Sequence, residues 1–256
     1  RRRAIDAGKG VADDALSALH AADGRNPIAA THHGDDTHAT PLAGLSPPIA
    51  AAAAVGDLDG KRVLIEGFGA HGPALAEAAA ARGAAVVGIS TGSGSLLNGD
   101  GFDPGELRGQ WSESGDTLVG SDAEPAWKVF AQEADVLFTG SKMGAINHDT
   151  AAKLQVGAVV PHSPIPYTAR ALAVMQRADI VAVPDFVATA GPLLAKWASG
   201  DATADAVVAA ATAAITSAIE ETSGHDDGAF LGACHRAEAF LSTWRDELPF
   251  GRPLAS

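Results

Sequence analysis

One junction in this chain limits its fold more than any other feature: a strand runs into a glycine turn and straight out into a helix. Val63-Leu64-Ile65 is a short continuous apolar run, the pattern of a strand covered on both faces. Gly67-Phe68-Gly69-Ala70-His71-Gly72 follows at once. Pro73 to Arg82 then reads as a helix, with proline in its first turn and Gly83 at its end, the usual asymmetry of helix ends.

A G-x-G-x-x-G spacing alone is weak in a chain with 29 glycines. Between a strand and a helix it takes on physical meaning. The first glycine permits the tight turn, the second lets backbone approach a pyrophosphate, and the third lets helix and strand pack closely. Amide groups at the helix start then meet the phosphate charge. The bland alternative is a glycine turn that binds nothing, and the flanking elements argue against it. A dinucleotide site is therefore expected at Gly67, Gly69, Ala70, His71 and Gly72.

Further strands are expected at Ala85–Ile89, Asp135–Phe138, Ala158–Val160 and Ile180–Val183. Helices are expected at about Asp149–Gln155 and Thr168–Ala178. Strands alternating with helices imply right-handed crossovers and a parallel sheet. The fold expected is α/β, a Rossmann-like doubly wound parallel sheet with extra C-terminal helices. An N-terminal helix and irregular segment would fill 1–45, the dinucleotide-binding domain 46–200, and C-terminal helices 201–256. Val11–Ala22 reads as a helix, and the Ala-rich run after Pro47-Pro48 as a buried helix closing at Gly56.

About 20 residues past the loop, an acid at the end of the second strand would hold the ribose hydroxyls of NAD. This chain has Ser90-Thr91-Gly92-Ser93 there. The cofactor expected is NADP or NAD. Only the missing carboxylate favours NADP, since no arginine stands beside Ser90 and Thr91 to pair with a 2′-phosphate.

Several segments in order carry a family resemblance. Leu58-Asp59-Gly60-Lys61-Arg62-Val63-Leu64-Ile65-Glu66-Gly67-Phe68-Gly69 resembles the entry to the nucleotide domain of the glutamate/leucine/phenylalanine/valine dehydrogenases. Gly94-Ser95-Leu96-Leu97-Asn98-Gly99-Asp100-Gly101-Phe102-Asp103 is similar to that family's insertion after the second strand. Gly144-Ala145-Ile146-Asn147 and Pro184-Asp185-Phe186-Val187-Ala188-Thr189-Ala190-Gly191 resemble later segments. The likeness runs from about Thr37 to Leu194. It implies that Gly140 and Ser141 lie along the cofactor, that Ser163 faces the nicotinamide, and that Thr40 lies on the approach to the cleft. Ser90 and Thr91 would meet the adenosine ribose.

Departures from the family pattern matter. Its G-A-N after the fourth strand reads His162-Ser163-Pro164, Thr189 replaces an asparagine, and Pro192 a glycine. The resemblance places the catalytic lysine and aspartate in an N-terminal substrate domain that is not recognisable here, so no catalytic residue is assigned. Ala7-Gly8-Lys9-Gly10 bears a faint resemblance to the family's glycine-lysine-glycine segment, too close to the loop for Lys9 to be the base. The chain opens Arg1-Arg2-Arg3 without methionine, and the sequence leaves open whether an upstream piece has been removed or left out.

Two functions follow. The preferred one is an NAD(P)-dependent amino-acid dehydrogenase-like oxidoreductase, converting an L-amino acid to a 2-oxo acid. The other is a catalytically inactive NAD(P)-binding sensor or regulatory module, which His162-Ser163-Pro164 favours. A net charge of −13 argues against nucleic acid or an anionic membrane as partner. A small-molecule substrate and a homo-oligomer are expected. One cysteine, Cys234, fits a reducing compartment, and neither a signal peptide nor a membrane span is read, so a cytoplasmic protein is expected. The cluster His32, His33, Asp35, Asp36, His38 has metal-binding residue types, but a polar loop explains it as well, and no metal is assigned. Lys142 reads as a surface lysine, Asp185 as a helix cap, Cys234 as core, and His225-Asp226-Asp227 as a turn without chemistry.

Overall fold

The computed structural model describes residues 41–121, 123–195 and 202–243. The expected Val11–Ala22 helix, Lys9, the His32–His38 cluster and Thr40 lie outside them. Helix α1 spans Pro41–Val55, and strand β1 is Arg62–Glu66. Helix α2 covers Gly72–Ala80, followed by β2 at Ala85–Thr91 and β3 at Gly94–Leu97. Helix α3 is Pro104–Ser114, β4 Val136–Thr139, α4 His148–Ala151 and β5 Ala158–Pro161. Then come α5 at Ala169–Arg177, β6 at Val181–Ala182, α6 at Asp185–Ala188 and α7 at Gly191–Ala195. A helical hairpin, α8 at Ala204–Ser223 and α9 at Ala229–Ser242, ends the described chain.

The six strands lie in the order β3-β2-β1-β4-β5-β6. β1 pairs in parallel with both β2 and β4, and the parallel pairing continues through β5 to β6. The expected parallel sheet therefore stands, with one addition. Gly94–Leu97 folds back on β2 as an antiparallel edge strand, because Gly92-Ser93 leaves only two residues for the turn, too few for a crossover.

Alternation along the apolar strands explains why both faces are covered. Val63, Ile65, Val136 and Phe138 enter a core with Leu75, Ala76 and Ala79 of α2 and with Ile215 and Ile219 of α8. Leu64, Leu137 and Val159 point the other way, against Ile146, Tyr167, Ala171 and Met175. Each fully buried Leu or Ile contributes about 1.5–3 kcal/mol, so a strand with neither face open to water needs no polar alternation.

Helix α1 begins at Pro41 and continues through Pro47 and Pro48, earlier than the start expected after those prolines. Prolines remove two backbone donors, and the Ser46 hydroxyl donates to the Leu42 carbonyl inside the same helix. Close packing holds it: a β-carbon on Gly44 would lie 2.6 Å from Ala74 Cβ. No described helix is long and apolar enough to cross a membrane.

Candidate nucleotide site

β1 and β4 are the neighbours at which strand order reverses, and their carboxyl ends frame the crevice where this fold binds ligands. Glu66 closes β1, buried to 5% exposure. Its Oε2 accepts from Thr139 Oγ1 at 2.8 Å, from the Gly140 amide at 3.0 Å and from the Ser141 amide at 3.3 Å. A buried carboxylate is expensive without hydrogen-bond donors, and three from the β4 exit converge on its Oε2. Gly140 and Ser141, expected along the cofactor, are thus fixed by Glu66, with their amides turned toward its carboxylate.

Gly67 has φ +80, and a β-carbon there would stand 2.3 Å from the Ser141 amide nitrogen. Its amide and that of Phe68 donate to the Ser90 carbonyl at 3.1 and 2.7 Å, tying the loop to the end of β2. Phe68 is buried edge-on against Trp111, with ring centroids 5.9 Å apart. Gly72 lies directly on the Phe68 ring, 2.7 Å from where its β-carbon would be. Gly69 differs: its β-carbon would meet only the Gly67 carbonyl, at 3.7 Å. Two loop glycines are therefore demanded by the protein itself, whereas a side chain at Gly69 would meet the described protein only at ordinary contact distance. His71 precedes α2 as its N-cap without a side-chain capping bond.

The β5 exit closes over the same point. A β-carbon on Gly140 would overlap the His162 ring at 2.2 Å, and His162 Nε2 lies 2.9 Å from the Glu66 carbonyl. That contact makes Nε2 the protonated nitrogen of a neutral ring. Burial pushes the imidazole below its ordinary value; the Glu66 carbonyl and carboxylate pull the other way, and His71 adds to the lowering. Ser163 sits half-exposed beside it. Ile165, two residues on, holds φ 55, costly for a β-branched residue. Its amide donates to Asp185 Oδ2 at 2.8 Å and its carbonyl accepts from the Gly144 amide at 2.8 Å. Asp185 was expected to cap its own helix; it anchors this loop instead, because the β5 exit passes over the start of α6.

Thr91, expected at the ribose, is buried. Its hydroxyl donates to the Asp116 carbonyl at 2.7 Å and accepts from the Ser93 amide at 3.1 Å. Asn147 caps α4 through Thr150, and Lys142 is exposed. Cys234 is half-buried in α9 rather than fully core, its thiol pushed up by burial and then by Glu238 and Asp185.

His225, Asp227 and His235 bring ligand atoms within 4.8 Å of one another, and the two rings stack at 5.0 Å. However, His225 Nδ1 accepts the Asp227 amide at 3.1 Å. A neutral imidazole bound to metal through Nε2 carries its proton on Nδ1 and cannot accept there. The arrangement suits a capped turn, not a ligand set.

Sequence reasoning missed Glu66 and His162. Glu66 had a signal, a carboxylate ending an otherwise apolar strand. His162 had none beyond its departure from the family pattern, since only the fold lays its ring on Gly140.

Sheet order, glycine loop and crevice define a doubly wound dinucleotide-binding fold. The chain belongs to the glutamate/leucine/phenylalanine/valine dehydrogenase family, whose model matches residues 41–196. It is 26% identical over 150 residues to the NADP-specific glutamate dehydrogenase of Saccharolobus shibatae, covering 57% of this chain and 36% of that protein. A catabolic NAD-specific glutamate dehydrogenase of Bacillus subtilis is 30% identical over 135 residues, covering 52% and 32%. The chain thus spans about a third of the length of these relatives. Among solved structures, the hetero-hexameric glutamate dehydrogenase of Thermus thermophilus in its Leu-bound form superposes with a TM-score of 0.70 at 26% identity, over 85% of this chain and 55% of that one. L-tryptophan dehydrogenase of Nostoc punctiforme shares the fold, with a TM-score of 0.60 at 18% identity, over 79% and 60%.

Two predictions follow from the crevice. Glu66→Gln keeps the shape but replaces a charged acceptor, leaving donors poorly met; it should cost about 1–3 kcal/mol in urea unfolding. Unchanged stability would mean that the Thr139–Ser141 contacts are incidental. For His162 the folded value lies below the unfolded one, so the unfolded chain takes up the proton first as pH falls through about 6.5. Stability should drop between pH 7.5 and 5.5, and His162→Gln should lose part of that drop. An identical drop in the variant would show that His162 does not contribute.

Proposed function

We propose that this chain is the nucleotide-binding part of an NAD(P)-dependent amino-acid dehydrogenase, which converts an amino acid to a 2-oxo acid and ammonia. The observation that carries it is that Gly69, at the strand-to-helix turn, has room for a β-carbon, while the two glycines beside it are packed against protein. That space is what a pyrophosphate needs to approach backbone and the positive end of α2. Gly67, Gly69, Ala70, His71 and Gly72 would hold the pyrophosphate. Ser90 and Thr91 would lie under the adenosine ribose, and Gly140 and Ser141 along the cofactor toward Ser163 on the nicotinamide side. Thr40 keeps the approach role that the resemblance gives it.

The bound cofactor supplies the hydride acceptor; the protein's part is binding, orientation and exclusion of water. Glu66 holds the Thr139–Ser141 turn beside the end of β1, and His162 stays neutral beside it. The family match over 41–196 and the glutamate dehydrogenase relatives support the reaction class. We include self-association, a cytoplasmic site of action and a division of the chain near 45 and 200 in the same reading.

A second reading, an NAD(P)-binding sensor or regulatory module without turnover, draws on His162. Its ring covers Gly140 at the crevice, where the family pattern has a glycine. Both readings require cofactor binding, and an amino-acid panel with oxidised cofactor separates them.

The loop geometry makes a paired test available. Gly69 lacks a positive φ and has free space, so Gly69→Ala should fold normally yet weaken NADH or NADPH binding by roughly tenfold or more in a fluorescence titration. Gly67→Ala, with φ +80 and Ser141 backbone in the way, should instead lower stability. Absence of any binding by the unaltered chain at high micromolar cofactor would defeat both readings.

A further inference from the structure

The end of β2 lacks the carboxylate that an adenosine ribose usually meets in this fold, and the structure brings one there from a different element. Thr91 Oγ1 donates to the backbone carbonyl of Asp116, which fastens the 3-10 turn Gly115–Val119 over the tip of the β2–β3 hairpin. This bond uses Asp116 backbone only. A β-carbon placed on Gly92 would lie 3.8 Å from Asp116 Oδ2, so the carboxylate stands beside the residue that follows β2. Both Gly92 and Asp116 are exposed.

We propose that Asp116 is the cofactor-specificity residue of this site, accepting from the ribose 2′-hydroxyl and selecting NAD(H) over NADP(H). The inference rests on the dinucleotide reading of the Gly67–Gly72 loop. It reverses the lean to NADP drawn from Ser90 and Thr91 alone.

Position comes first. The loop is tied to β2 through the Ser90 carbonyl, so a dinucleotide whose pyrophosphate sits on Gly69 runs its adenosine half past Thr91 and Gly92. Gly92 carries no side chain to stand between a ribose and Asp116. Charge comes second. A 2′-phosphate would bring its negative charge against that carboxylate and would need a cation in return. No Lys or Arg occurs between Arg82 and Arg108. The Arg108 guanidinium is held by both oxygens of Glu77, Nε to Oε1 at 2.5 Å and Nη2 to Oε2 at 2.6 Å. Phosphate at this point meets repulsion, whereas a hydroxyl meets an acceptor.

The test is a titration of the full chain with NADH and NADPH, repeated on Asp116→Asn and Asp116→Ala. Both variants keep the backbone bond to Thr91, and unchanged urea midpoints would show that the turn stays in place. The unaltered chain should bind NADH at least about tenfold tighter than NADPH, as expected of one hydrogen bond to a charged group. Both variants should close that gap by weakening NADH and strengthening NADPH. If cofactor binds and the NADH-to-NADPH ratio is the same in all three proteins, the assignment of Asp116 is wrong while the site stands. NADPH bound more tightly by the unaltered chain would also overturn it. If neither cofactor binds the unaltered chain, the site reading falls and this inference with it.

Discussion

A single buried carboxylate oxygen holds the centre of this molecule together. Glu66 Oε2 collects a hydroxyl and two amides from Thr139, Gly140 and Ser141, across the point where the chain passes from one half of the sheet to the other. Removing a carboxylate from water costs several kcal/mol unless donors replace the water, and here they come from one consecutive stretch of β4 exit. The backbone ladder already pairs β1 with β4 as far as Glu66 and Thr139, and the carboxylate carries that tie beyond the strand end to Gly140 and Ser141. Residues 140–141 are thus held where Gly67 comes against the Ser141 backbone.

The glycines around the crevice are required for different reasons. Gly67, Gly72 and Gly140 are close-packed: against Ser141 backbone, the Phe68 ring and the His162 ring respectively. Any side chain there collides with the protein. Gly69 has neighbours only at ordinary contact distance, and a residue with a side chain would fit the fold. Unpacked glycines such as Gly99 and Gly109 occur elsewhere; what sets Gly69 apart is its place between the carboxyl end of β1 and the start of α2, where a phosphate can approach backbone. Here the loop geometry, the helix α2 start and the family membership converge on the same ligand chemistry.

Much of this was legible in the sequence because it is written in local signals. Strand β1, the loop and α2 follow from an apolar run, three glycines and a proline, and the parallel sheet from the alternation of strands with helices. The antiparallel turn of β3 was less visible, since Gly94–Leu97 carries no periodicity of its own and pairs only because Gly92-Ser93 is short. Helix α1 starts ahead of its two prolines, not after them, with close contact at Gly44 and burial of Ile49 offsetting the two lost backbone donors. The site divides likewise. Its glycines could be named from spacing, but Glu66 gains its role from residues 73–75 positions away. His162 and Asp116 reach the crevice through strand pairing and a long insertion, which no local pattern encodes.

The most direct measurement of the central claim is hydrogen–deuterium exchange of the chain with and without saturating NADH. The account predicts slowed exchange at three separated segments together: 67–74, 90–93 and 139–142. Protection elsewhere, or no change at these strand exits while cofactor is bound, would contradict a dinucleotide site built on the Gly67–Gly72 loop.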